Sequence, residues 1–322
     1  MKYTDTSMEM NKMRDKYLKI PADILENARK QFCADTCLSW EDYIREPGKK
    51  VYIQKTAYEP GRICVDREDA RRYSKGDAFF NAIICLGQLF LTVDECIYEW
   101  AVAEFEDCKP EWFCSFDNLR KIDRKLQEYG RQIGDTHLYF LPSQGILEES
   151  DTCVRKSEIN GLPLEWYEEE EIERFRDGNR FPHALGYLQG QPDVLAVAAL
   201  REGERYDVEE AGTRCGEEAH GAEQQDTEAV QGKVYDQNAM AGMSGVSRDG
   251  TYLWQVGINV DKEMRGRGLA AGLVKELTME LLRRGVTPFY GTGEAHSISR
   301  SVALKAGYVP AFASVYAVRA DS

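Results

Sequence analysis

Basic residues are in short supply: 41 lysines and arginines stand against 55 aspartates and glutamates, a formal net charge of −14. A nucleic-acid footprint needs the opposite balance, and an anionic membrane surface would repel such a chain, so neither is expected as a partner. No apolar run reaches the roughly 20 residues a bilayer requires. The longest, 79–93, is interrupted by Asn81 and Gln88 and reads as a buried core element. The first ten residues, MKYTDTSMEM, hold no apolar segment of the kind a signal peptide carries, so a cytoplasmic protein with reduced thiols is expected. The nine cysteines contain no C-x-x-C. Cys33 and Cys37 stand four apart with no partnering Cys/His pair at zinc spacing, and no metal is expected. Histidine is scarce too. His137, His183 and His220 are scattered, without the logic of a nucleophile–histidine arrangement, and read as structural or surface groups.

What remains is ordinary soluble-protein material, 43% hydrophobic and 30% charged, in 322 residues; that suits about two domains and excludes a disordered or fibrous chain. Residues 1–145 read as a mixed α/β unit. A helix is expected over 21–30, strands over 50–58 and 62–66 around Glu59-Pro60-Gly61, a helix over 117–129 closed by Gly130, and a short strand over 137–141. The polar stretch 146–160 lacks periodicity and reads as a linker. Residues 161–322 form the second unit. Its run Glu168 to Glu171 reads as a solvated helix N-terminus, and 193–200 as a buried strand. The segment 201–238 holds eleven acidic and four basic residues; eleven minus four is seven, half the net charge, so it reads as an acidic flexible insertion. A regular β-β-α-β-α-β order follows: strands over 239–247 and 252–260, a helix over 268–284, a strand over 286–290, a helix over 297–306 and a strand over 308–318. The central helix repeats Leu269, Leu273, Leu277 and Leu281 every fourth position, a stripe that serves to dock it on a sheet.

Chemistry concentrates where the second of these strands meets that helix: Val260-Asp261-Lys262-Glu263-Met264-Arg265-Gly266-Arg267-Gly268-Leu269-Ala270. The first amides of a helix have no intrahelical partner, and the dipole makes that end positive. Glycines allow a pyrophosphate to approach the backbone, and arginines add charged donors. Arg265-x-x-Gly268-x-Ala270 resembles the acetyl-CoA signature of the GNAT superfamily of N-acetyltransferases. The preceding Gly-Ile-Asn-Val-Asp strand and the final helix ending Lys305-Ala306-Gly307-Tyr308 fit the superfamily's order. Trp254 to Ile258 together with Pro288-Phe289-Tyr290 is similar to a bacterial group of GNAT proteins whose N-terminal half is a degenerate GNAT-like repeat.

The resemblance implies an α+β (mixed α/β) GNAT fold, a central mostly antiparallel sheet flanked by helices. It implies acetyl transfer from acetyl-CoA to a primary amine of a small-molecule or peptide acceptor, by a monomer or homodimer. The cofactor-binding residues would be Ile258, Val260, Arg265, Gly266, Arg267, Gly268, Leu269, Ala270 and Ser299. Many family members carry a tyrosine acid on the last helix, where this sequence has Ala303, and an asparagine at that helix's start, where it has His296. Glu294, His296 and Tyr290 follow or belong to the strand expected to flank the thioester and are the catalytic candidates. Trp254 and Gln255 are candidates for the acceptor side. Two other readings compete. Gly266-x-Gly268-x-x-Ala271 fits a dinucleotide-binding fingerprint, but 286–290 offers no acidic residue for a ribose. The missing tyrosine fits a non-catalytic acetyl-CoA-binding sensor or scaffold.

Overall fold

The computed structural model describes residues 19–56, 58–59, 62–63, 69–71, 78–201 and 233–320. Most of the acidic insertion expected at 201–238, with His220, lies outside the described residues, as do Pro60 and Gly61. The helices and strands, in chain order, are α1 (Ala22–Asp35), α2 (Trp40–Arg45), β1 (Val51–Lys55), the two-residue strands β2 (Tyr58–Glu59) and β3 (Arg62–Ile63), β4 (Phe80–Cys85), β5 (Gln88–Val93), α3 (Tyr98–Phe105), α4 (Phe116–Gln127), β6 (Arg131–Pro142), α5 (Gln144–Thr152), β7 (Glu158–Ile159), β8 (Leu162–Glu168) and α6 (Glu169–Ile172). There follow β9 (Asp193–Leu200), β10 (Met240–Ser247), β11 (Trp254–Val260), α7 (Leu269–Arg283), β12 (Pro288–Gly293), α8 (Ser297–Lys305) and β13 (Tyr308–Arg319).

Three expectations are corrected. The apolar run 79–93 is not one element but a hairpin, β4 and β5, turned at Leu86 and Gly87, both left-handed with φ of 46° and 81°. A leucine in that conformation gives no turn signal in the sequence. The stretch 146–160 is not an irregular linker: it holds most of α5, capped by Ser143, whose hydroxyl accepts the Ile146 N–H, and it holds β7. The strand expected at 137–141 is twelve residues long, because it extends through the polar Arg131–Thr136 that carried no apolar alternation.

Eleven strands make one sheet in the order β1-β5-β4-β13-β6-β12-β11-β10-β9-β8-β7. Only β1 with β5 and β11 with β12 are parallel; the other neighbours are antiparallel. The sheet is thus mostly antiparallel and flanked by helices, the α+β class expected. Strands from the two halves of the chain interleave. β13 lies between β4 and β6, and β6 lies between β13 and β12.

Alternation along the strands sorts the core onto two faces. Leu195, Val197 and Ala199 of β9 and Phe140 of β6 pack with the leucine stripe of α7 and with Ala303 of α8. Ala196 and Ala198 point the other way, to Tyr167, Phe175 and Phe181. Tyr139 and Leu141 of β6 share that opposite face with Phe32 of α1 and Tyr43 of α2. Leu269, Leu273, Leu277 and Leu281 are all buried. At about 1.5–3 kcal/mol each, they dominate the docking of α7. No described helix is long and apolar enough to cross a membrane.

Candidate active site

The site grows from a mismatch between neighbouring strands. β11 pairs with β10 along its whole length, from Gln255 opposite Ser247 to Val260 opposite Gly242. With β12 it pairs only from Trp254 to Val256, against Pro288 to Tyr290. The Trp254 N–H donates to the Thr287 carbonyl (3.1 Å), whereas the Asp261 N–H donates to Ala241 on the β10 side (3.0 Å). Backbone groups of successive strand residues face alternate edges. Residues 254, 256, 258 and 260 therefore face β12. Ile258 and Val260 do so beyond the paired segment, where no strand among the described residues lies opposite them. Their side chains pack against the α7 core, so the backbone is what they offer to the opening.

The chain leaves β11 through a tight turn at Lys262–Met264 and enters α7 through glycines. Gly266 and Gly268 have φ of 76° and 81°, a conformation that costs a side-chain-bearing residue about 1 kcal/mol or more. Both are exposed, with open space where a Cβ would stand. Gly268 is the residue before the first turn of α7 and has no side chain to cap the amides of Leu269 and Ala270. Arg265 and Arg267 are exposed. The Arg265 Nε donates to the Val260 carbonyl (3.2 Å), and Asn160 donates to the Arg267 carbonyl (2.9 Å), fixing the loop from two sides. The Arg265 N–H donates to the Lys262 carbonyl (3.3 Å), so the unclaimed N–H groups of this glycine-shaped rim begin at Gly266.

The catalytic candidates separate. Tyr290 is buried on the α7 face, and its hydroxyl shares a hydrogen bond with Ser299 at 2.9 Å. Burial pushes the phenol above its usual range, and the Ser299 contact opposes this only in part. The structure brings Tyr290 and Ser299 together. Glu294 and His296 are exposed in the turn between β12 and α8. Arg300 donates to the Glu294 carbonyl (3.3 Å), and the His296 N–H donates to Gly293 (3.1 Å). The His296 side chain precedes α8 without capping it. Ala303 is fully buried next to Tyr290 and Tyr308. Trp254 packs into the α7 core; Gln255, one residue on, points to the opposite face and is exposed.

On that opposite face, the segment 179–187 lies across β10 and β11. Asn259 Oδ1 accepts the N–H groups of His183 (2.6 Å) and Ala184 (3.1 Å). A side chain at Gly257 or Gly245 would run into the carbonyls of His183 and Ala184. Asp261 binds Arg180 (3.2 Å) and Arg201. Sequence reading missed Asn259, Arg180, Arg201 and Asn160. Their side-chain partners lie 57 to 107 positions away by number, and no local pattern marks such pairs. It also gave His137 no role, although β6 sets it opposite Gly293 at the end of β12.

Residues 233–317 match the family model described as FR47-like protein, a GNAT-related family. No curated protein matches the chain. Among solved structures, it is similar to an acetyltransferase of the GNAT family from Colwellia psychrerythraea (11% identity, 58% of this chain and 57% of that one, TM-score 0.33). It is also similar to a GCN5-related N-acetyltransferase-like protein from Streptococcus suis (15%, 63% and 68%, 0.35) and to a GCN5-related N-acetyltransferase from Kribbella flavida (14%, 60% and 62%, 0.34). The likeness is partial, spanning 57% to 68% of those chains.

Proposed function

We propose that the protein is an acetyl-CoA-dependent N-acetyltransferase that acts on a primary amine of a small-molecule or peptide acceptor. One observation carries the reading: a parallel strand pair opens beyond Val256 and Tyr290, directly beside a glycine-shaped helix start. The residues present fit the cosubstrate. A diphosphate needs several N–H donors that nothing else occupies, and the rim from Gly266 to Ala270 offers them, with the two exposed guanidiniums of Arg265 and Arg267. An extended pantetheine-like arm needs a strand edge, and Ile258 and Val260 offer one.

Bound acetyl-CoA would supply the acetyl thioester. Around it the chain contributes alignment and charge. The Ile258 N–H is the donor available to a developing oxyanion, a contact that strengthens as charge builds. Tyr290, kept protonated by burial and held by Ser299, is the proton donor for the departing thiolate. It supplies from β12 the hydroxyl that Ala303 cannot supply from α8. Glu294 and His296, exposed just beyond β12, stand where protons or cofactor groups pass to solvent. The buried alanine at 303 is also what a non-catalytic acetyl-CoA sensor would tolerate, and turnover decides between the two. Free-thiol release from acetyl-CoA is measured with a panel of primary amines. Release that depends on the amine, and that falls in Tyr290→Phe, is expected; tight cofactor binding with no release from any amine means a sensor.

A further inference from the structure

His137 sits one strand away from the opening, on the face opposite α7. β6 pairs it with Gly293, the last residue of β12, and pairs Tyr139 with Gly291. Residues 137 and 139 point to the same side as Phe289, Gly291 and Gly293; the Tyr139 ring and the Gln255 amide lie over Gly291, so the uncovered part of this face of β12 is Gly293. A Cβ at Gly293 would touch nothing within 4 Å. Gln255 is exposed on the same face of β11.

The imidazole is held in a defined pose. Its ring stacks on Tyr139 (5.9 Å between centroids, 25°) and on Tyr316 of β13 (6.3 Å, 19°). Its Nε2 lies 3.7 Å from Asp135 Oδ2, and its side chain is 29% exposed. Its Nδ1 is buried and makes no hydrogen bond with the described residues. A buried ring nitrogen left without a partner costs stability, and natural proteins keep such atoms where a ligand or a water completes them. Among the described residues, the titratable groups against the ring are Asp135 and Tyr139 on its own strand and Tyr316 on β13; β12 sets Gly293 opposite it. Asp135 is therefore the one carboxylate paired with the ring.

We propose that His137 removes the proton from the acceptor's ammonium, with Asp135 as the residue that orients the ring, and that the acceptor passes over Gly293 at the end of β12, on the face opposite α7. The inference rests on the acetyltransferase reading above. The chemistry balances. The Asp135 carboxylate favours a proton on Nε2, leaving the lone pair on Nδ1. The ammonium N–H bond breaks, and its proton goes to Nδ1. The freed amine lone pair forms the C–N bond at the thioester carbonyl. The attacking nitrogen gives its second proton to solvent as the C–S bond breaks, the thiolate takes a proton from the Tyr290 hydroxyl, which solvent replaces, and the imidazolium returns its own to solvent. An acceptor that arrives as a cation suits this site, since Asp135 attracts it and the two phenol faces stabilise the imidazolium.

The test uses the full chain, with CoA binding followed by calorimetry alongside thiol release. n-Butylamine and spermidine are the amine probes. His137→Gln is expected to bind CoA as the wild type does, yet to lose about 10²-fold or more in kcat/KM, with free imidazole restoring part of the rate. Asp135→Asn should lower kcat and leave KM for acetyl-CoA unchanged. His137→Asn guards against a glutamine that fails to fold. Independently of turnover, the ring carbon–proton signals of His137 in the CoA-loaded wild type should move when n-butylamine is added, and those of the surface His296 should not. A His137→Gln variant with wild-type rate overturns the inference, and so does a His137 signal that ignores the amine. Absence of CoA binding in the wild type overturns the acetyltransferase reading itself, so the two failures are distinguishable.

Discussion

Asp249 pits burial against charge in the turn between β10 and β11. The Ser247 hydroxyl donates to its carboxylate at 2.7 Å, yet burial pushes the acid up to about 6, with the Ser247 bond and the nearby Arg71 pulling the other way. A carboxyl raised in the folded state favours folding when protonated. Its contribution is fully present below about pH 4, the unfolded value, and is lost as pH rises through about 6. Asp249→Asn keeps an oxygen for Ser247 and removes the charge. We expect it to raise stability at pH 7 by on the order of 2 kcal/mol and to change nothing below about pH 4, as read from urea melts at the two pH values. Single residues differed in how plainly the sequence marked them. Gly268 was legible because its spacing from Arg265 and Ala270 is itself the signal. Asp249 and His137 were not, because what makes each of them unusual is what surrounds it: α1 and Arg71 for one, two tyrosines from different strands for the other.

The elements sort in the same way. α7 could be read directly, since its leucine stripe has the period of a helix and its start carries two glycines. β11 and β12 were placed nearly correctly for similar reasons. β6 was recognised only in its last apolar residues, and its partners could not be foreseen. It pairs with β13 from Arg131 opposite Arg319 to Pro142 opposite Tyr308, and with β12 on its other edge. Sequence periodicity reports which face of a strand is buried, not which strand lies beside it. The pairing has a testable consequence. Both neighbours of β13, namely β4 and β6, come from the first half of the chain, and β12 relies on β6. We expect residues 1–145 and 146–322, made separately, to remain unfolded by circular dichroism and to regain structure when coexpressed. Cooperative melting of the isolated 146–322 would contradict this interdependence.

At the scale of the whole molecule, the interleaved sheet joins the two halves at the candidate site. The C-terminal half provides the open strand edge and the helix start. The N-terminal half provides β6 and, with it, the aromatic and acidic groups on the far face. The segment 179–187 covers β11 on that face without reaching Gly293 of β12 through any hydrogen bond among the described residues. A cosubstrate gripped on one side and an amine arriving on the other would thus meet where β11 and β12 part. The central claim is that the start of α7 binds the diphosphate of CoA. Calorimetric titration of CoA into the full chain tests it most directly, beside Gly268→Ala, which strains the left-handed turn without adding charge, and Gly268→Glu, which sets a carboxylate against the phosphates. We expect saturable heat from the wild type, weaker binding by the alanine variant and none by the glutamate variant. No heat from the folded wild type, or equal binding by Gly268→Glu, would contradict the assignment.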